Sequence, residues 1–91
     1  MIHNYYGIKD NLADLFYNPF KEQNDATALR FFKESVNDKR NDVMYHNPGD
    51  YDLYKIGEFE TTTGEFNPKL VKLTNGRSLK EETNGNSKDT V

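Results

Sequence analysis

Apolar and polar positions alternate from the first residues. Ile2, Tyr6 and Ile8 fall on one side of an extended segment and His3 and Tyr5 on the other, which predicts a first strand. Lys9-Asp10-Asn11 reads as a turn, and a second strand is expected over about residues 14–21. In that strand Phe16 and Phe20 share one face, and Leu15 and Tyr17 share the other. Pro19 lacks the amide hydrogen that a ladder needs, so this strand is expected at an edge or to be irregular there. The pattern then changes to a helical period. Leu29, Phe32 and Val36, widened by Ala28 and Phe31, form one apolar stripe, and Asn24 or Asp25 supplies the N-cap. The helix should run to about Val36 or Asn37, with Arg30, Lys33 and Glu34 on its solvated side.

Residues 37–49 are polar and read as a long loop, with at most a short strand around Val43 to Tyr45. Tyr51 to Glu60 is the clearest strand. Simple alternation puts Tyr51, Leu53 and Phe59 on one face and Tyr54 and Ile56 on the other, so both faces are apolar and the strand should be central. Thr61-Thr62-Thr63-Gly64 closes a hairpin with Gly64 in a left-handed position. Phe66 to Leu73 is its partner, placed at an edge by Pro68. The order is ββαββ, a small α+β domain over residues 1–73 in which one helix packs on an antiparallel sheet and leaves the other sheet face open. Residues 74–91 carry one Leu and a terminal Val as their large apolar groups and are expected to form a flexible polar tail.

Composition narrows the uses of this fold. A chain of 91 residues buries only about 60–65% of the surface its unfolded form exposes. With 34% hydrophobic content, the 6 Tyr and 6 Phe must supply most of the packing. The absence of Cys excludes disulfides and thiolate metal sites. No secretory leader or membrane span is visible, so a cytoplasmic location with no membrane partner is expected. The net charge of −3 resides in residues 1–73. An acidic domain is not the usual electrostatic footprint of a protein that gains affinity by neutralising phosphates.

Few constellations point to chemistry. Asp50, Asp52, Glu58 and Glu60 share a strand face by parity, and two carboxylates at i and i+2 could hold a hard cation such as Mg²⁺, yet charged strand ends are also ordinary solvated positions. His3 and His46 lack partners at metal-ligand spacing, Ser35, Ser78 and Ser87 lack a nucleophile elbow, and Gly57 and Gly64 do not build a phosphate loop. No catalytic residue, metal or cofactor is therefore expected. The open sheet face carries the remaining possibility, because bases of single-stranded DNA stack on exposed aromatics while Lys and Arg follow the backbone. Tyr5, Tyr51, Tyr54 and Phe59 are the candidate platforms, with Arg30, Lys33, Lys39, Arg40 and Lys55 as phosphate partners. The same rings could equally serve as core or as a dimer interface.

Three blocks carry a resemblance. They are Tyr6-Gly7-Ile8-Lys9-Asp10 with Ala13-Asp14; Pro19-Phe20 followed by Asn24-Asp25, Ala28, Arg30 and Phe32; and Asp50-Tyr51 with Leu53, Ile56-Gly57, Phe59 and Thr63-Gly64. Together they resemble the small nonstructural protein of gokushovirus-type microviruses, phages with single-stranded DNA genomes. The resemblance implies a phage-encoded protein of the bacterial host cytoplasm that is absent from the mature virion and assists viral genome replication. It implies single-stranded viral DNA and phage or host replication proteins as partners, and no defined catalytic residues. Three readings stay open: a noncatalytic protein binding single-stranded DNA; an interaction or homodimerisation module that recruits a replication protein without DNA; and a metal-dependent nuclease built on Asp50 and Asp52.

Overall fold

The computed structural model describes residues 1–81 as an antiparallel sheet with its helices gathered on one side. The strands are β1 (Ile2–Asp10), β2 (Leu15–Phe16), β3 (Phe20–Glu22), β4 (Tyr51–Glu60) and β5 (Phe66–Asn75). The helices are α1 (Asp25–Val36), α2 (Asp42–His46) and the single turn α3 (Gly76–Leu79), with a 3₁₀ turn at Pro48–Asp50. The sheet order is β2-β1-β4-β5, and β3 also pairs with β1. The α+β class read from the sequence is the fold observed.

Local chemistry explains the boundaries. The second strand is split in two, with β2 opposite Lys9 and Asp10 and β3 opposite Asn4 to Tyr6. Between them Tyr17 still donates its amide to the Ile8 carbonyl at 2.9 Å, but Pro19 has no hydrogen to give. The α1 N-terminus is a reciprocal cap in which Asn24 Oδ1 accepts from the Thr27 amide at 2.9 Å and the Asn24 amide donates to Thr27 Oγ1 at 3.2 Å. Residues 42–46 differ from the expected short strand: they form α2. The reason is visible in burial, since Met44 enters the core while its neighbour Val43 stays exposed, and the Tyr45 amide bonds back to the Asn41 carbonyl at 2.7 Å. A β-branched and aromatic run read locally favours a strand, but one buried side chain per turn selects a helix.

The core forms between α1 and one sheet face. Ala28, Phe32 and Val36 pack on Tyr6, Ile8, Tyr51 and Leu53, and Met44 closes one end. Tyr6 combines burial with a tie, donating its hydroxyl to Asp25 Oδ1 at 2.7 Å at the start of α1. Burial first, then that carboxylate, raises the Tyr6 phenol above its ordinary pKa.

The register shifts once between β1 and β4. Tyr6 pairs with Lys55 but Tyr5 pairs with Gly57, so Ile56 is the extra residue of a bulge. The bulge reverses the parity of the second half of β4. Phe59 therefore lies opposite His3 on the uncovered face, not with Tyr51 and Leu53 as simple alternation required. Two further shifts occur between β4 and β5.

The ordered chain also continues beyond Leu73, where the sequence reading closed the domain. Thr74 and Asn75 complete β5, Gly76 is buried and Leu79 packs against the core. Lys80 donates from Nζ to the Val36 carbonyl at 3.1 Å and the Tyr45 carbonyl at 2.8 Å, fastening this segment to the ends of α1 and α2. The rest of the expected tail, residues 82–91, lies outside the described residues.

Two glycines separate steric from conformational need. A Cβ on Gly57 would come within 2.6 Å of the Asn67 carbonyl oxygen and 2.5 Å of the Phe66 ring, whereas one on Gly64 would meet nothing, although its φ is +78°. Gly57→Ala is expected to lose about 2–3 kcal/mol from overpacking against backbone, and Gly64→Ala about 1 kcal/mol from left-handed strain. Urea unfolding of both variants checks this order, and an equal loss would refute the steric account of Gly57.

Candidate functional site

The sheet face opposite α1 has no helix packed on it among the described residues. Register assigns its side chains: Tyr54 lies across from Gly7 on β1 and Lys72 on β5, Phe59 across from His3 and Phe66, and Lys9 across from Phe16 and Asp52. The rings meet in pairs. Phe16 and Tyr54 stand edge to face with centroids 5.2 Å apart, and Tyr5 and Phe66 do the same at 6.2 Å. Between these pairs Gly7 floors an apolar hollow of about 160 Å³ whose walls include Phe16, Pro19, Ile56 and Leu70. Leu70 is 63% exposed, and Phe16 and Phe66 are also exposed.

Two lysines stand on this aromatic ground. Lys9 Nζ lies 5.9 Å from the Phe16 ring centre and 3.2 Å from Asp14. Lys72 reaches Asp52 at 3.6 Å while half of its side chain stays in solvent. Rings paired edge to face, with ammonium groups at their margins, can stack planar groups on the ring faces left open and neutralise a few phosphates.

Of the residues singled out from sequence, Tyr54 reaches this surface together with Tyr5 and Phe59. Tyr51 does not, being 2% exposed in the core on the helix side. Burial, and then the Tyr17 hydroxyl, raise its phenol above the ordinary range. Lys55 pairs with Tyr6, so its side chain leaves on the helix side and bonds Glu58 at 3.0 Å. Arg30 and Lys33 belong to α1, on the other side of the sheet, where Lys33 lies 3.6 Å from Glu81. Arg40 is forked onto Asp38 with bonds of 2.9–3.2 Å, and Lys39 is beside it in the loop after α1. The four rings and five cations are therefore not one surface. Phe16, Phe66, Leu70, Lys9 and Lys72 were missed. The period-two pattern of β5 placed Lys72 and Leu70 on one side, a usable signal, but assigning that side to the open face required the bulge.

The acidic set is divided as well. Asp52 is on the open side, whereas Glu58 and Glu60, displaced by the bulge, are on the helix side opposite Asn4 and Ile2. Asp52 is itself committed to structure. Only 5% exposed, it accepts from Asn11 Nδ2 at 2.8 Å and from Asn75 Nδ2 at 2.8 Å, and Asn75 also donates to the Gly49 carbonyl at 2.9 Å. Burial works to raise its pKa, but Asn11, Asn75 and Lys72 outweigh it and hold the carboxyl below the usual carboxylate range. No group of three His, Cys, Asp or Glu placed to hold a metal ion occurs among the described residues. No helix among them is long and apolar enough to cross a membrane.

The fold and this face define a small α+β protein with helices on one side of its sheet and an open aromatic surface on the other. The chain belongs to the Phage ORF5 protein family, whose sequence profile matches residues 3–79, from β1 to the end of α3. It is thus a member of a bacteriophage protein family. No curated protein and no solved structure matches it.

The Asp52 knot has a signed pH dependence. Because its folded pKa is depressed, its contribution is fully present above the unfolded value near pH ~4 and is lost as pH falls through the folded value. Asp52→Asn places an amide against two amide donors and should cost about 1–3 kcal/mol at pH 7. Urea unfolding at pH 7 and near pH 2 should show the wild-type advantage shrinking in acid, and an advantage that grows in acid would contradict this role.

Proposed function

We propose that the protein is the nonstructural protein of a gokushovirus-type microvirus, acting without catalysis in viral genome replication in the cytoplasm of the bacterial host by binding single-stranded DNA on its open sheet face. The observation that carries the reading is the two ring pairs on the open sheet face, Phe16 with Tyr54 and Tyr5 with Phe66, with Lys9 and Lys72 at hand. Membership in a phage family and the resemblance of the blocks from Tyr6 to Gly64 support the viral setting. The chemistry is stacking with limited charge neutralisation. Each base on a ring contributes roughly 1–3 kcal/mol, and two lysines on phosphates give a salt slope of only about −1.4 for a single strand. An acidic protein can bind in this way because rings, not net charge, hold the strand.

A second reading keeps the same face but gives it to protein, as a homodimer or a docking site for a phage or host replication protein. The exposed Leu70 favours it, since an aliphatic side chain offers no ring face on which a base could stack.

Fluorescence anisotropy with labelled oligonucleotides at several salt concentrations separates the two. Wild-type protein is expected to bind in the micromolar range with a shallow salt slope. Tyr54→Ala should weaken binding about tenfold, while Lys55→Ala, on the helix side, should change it less than about twofold. No salt-sensitive binding at tens of micromolar protein, combined with a dimer in light scattering, would move the face to the second reading.

A further inference from the structure

On the helix side, away from the aromatic sheet surface, a groove of about 400 Å³ runs between α1, α2 and the chain leaving β2. Ile8, Met44 and Tyr51 form its base, and Tyr17, Phe31 and Val43 rise from its walls. The wall residues are unusually bare for a protein with so little apolar content: Val43 is 61% exposed, and Phe31 and Tyr17 are each more than two-fifths exposed. A second depression shares Phe31, Ser35 and Asn41 with the first and continues the groove toward Glu34 and Asp38.

The charges around the groove have one dominant sign. Asp42 lines it directly, and Glu34 stands on the α1 rim. At the far end Asp10 faces Tyr51 across the ladder and Asp50 immediately precedes it. Three of the nearby cations have acidic partners, and Arg30 borders Glu34 from the opposite side of α1. Arg40 is forked onto Asp38, Lys33 is directed toward Glu81 in a depression it shares with Arg30, and His46 lies 3.3 Å from Asp42. Apolar walls within an acidic rim complement a ligand that is apolar on one face and basic on the other.

We propose that this groove docks a basic amphipathic helix of a partner protein. The walls are side chains, Phe31 and Val43 from two helices and Tyr17 from the chain after β2, whose amide is already bonded to Ile8, so an occupant must satisfy its own backbone hydrogen bonds, as a helix does. Roughly 400 Å³ is enough for two or three large apolar side chains, the number that one helical stripe presents at i, i+3 or i+4, and i+7. Lysines or arginines flanking that stripe would meet Asp42 and Glu34 on one rim and Asp10 and Asp50 at the end. The inference does not depend on the DNA reading: the groove and the aromatic face use opposite faces of the sheet and share only Tyr17 among their lining residues.

The test uses the whole chain and two fluorescein-labelled helical peptides of about 14 residues, one built of Leu and Lys at helical spacing and its counterpart of Leu and Glu. The Leu and Lys peptide is expected to bind in the micromolar range, at least tenfold tighter than the acidic one. Val43→Lys, at an exposed position that leaves the circular dichroism spectrum unchanged, should weaken it at least tenfold. The double variant Glu34→Gln with Asp42→Asn should flatten its salt dependence, and Tyr54→Ala should leave it unaltered. Equal binding of the two peptides, indifference to Val43→Lys, or loss of binding in Tyr54→Ala would overturn the proposal. So would a concentration-dependent dimer in sedimentation that Val43→Lys abolishes, which would assign the groove to a second copy of the chain.

Discussion

The ladder between β1 and β4 accommodates one more residue on β4 than on β1, and the two-sided character of the molecule follows from that excess. Before Ile56, residues Tyr51 and Leu53 turn toward α1 and build the core; after Gly57, the same strand turns Phe59 to the other side. Lys55 and Glu58, three positions apart, reach the same side and bond each other, an arrangement a regular strand would forbid. Gly57 is the residue that tolerates the shift, since the Phe66 ring lies where its side chain would be. The bulge thus brings Tyr5 and Phe66 together and extends the aromatic surface along the sheet, beyond the reach of the helices.

A core of so few residues leaves the ends of the elements to be held by polar ties. Asp52 draws together the turn after β1, the 3₁₀ turn and the end of β5 through Asn11 and Asn75. Tyr6 fixes the start of α1 through Asp25, and Lys80 fastens the carbonyls of Val36 and Tyr45 while its ammonium lies 3.1 Å from the centre of the Tyr45 ring. Burial lowers the Lys80 pKa. Each tie joins segments distant in sequence, which compensates for the small apolar area available to a chain of this length. The same ties explain why the fold extends to α3.

The elements legible in the sequence were those whose signal is local and repeated. The helix cap, expected at Asn24 or Asp25 and found at Asn24, the apolar stripe of α1 and the Gly64 turn each depend on neighbours within one turn or one hairpin and agree with the structure, except that Phe31, expected on the stripe, is exposed. Val43 to Tyr45 was misread because β-branched and aromatic residues favour strands when only propensity is considered, and the burial of Met44 that decides the matter is tertiary. The candidate surface was legible in kind but not in membership. Tyr54 followed from alternation before the bulge, whereas Lys55 and Tyr51 were assigned by a strand that had no reason, in sequence, to place an extra residue at Ile56. Arg30 and Lys33 were correctly solvated on their helix, but that helix is on the wrong side of the sheet to join Tyr54.

Segregation of charge would reconcile an acidic chain with the single-stranded DNA ligand proposed above. The groove between α1 and α2 gathers Glu34, Asp42, Asp10 and Asp50, and the aromatic face has Lys9 and Lys72 in reach. The two surfaces use opposite faces of the sheet and meet at Tyr17, and Lys9 and Asp10, consecutive in β1, send their side chains to opposite faces. What remains local is the competition of Asp14 and Asp52 for the same lysines. A phosphate must share each ammonium with a carboxylate already in place, and for Lys72 that carboxylate is buried and cannot move away. If the face binds DNA as proposed, its phosphate contacts would be weak and its selectivity for unstacked strands over duplex would come from the rings, because a duplex keeps its base faces stacked on one another and has little to offer Tyr54 or Phe16.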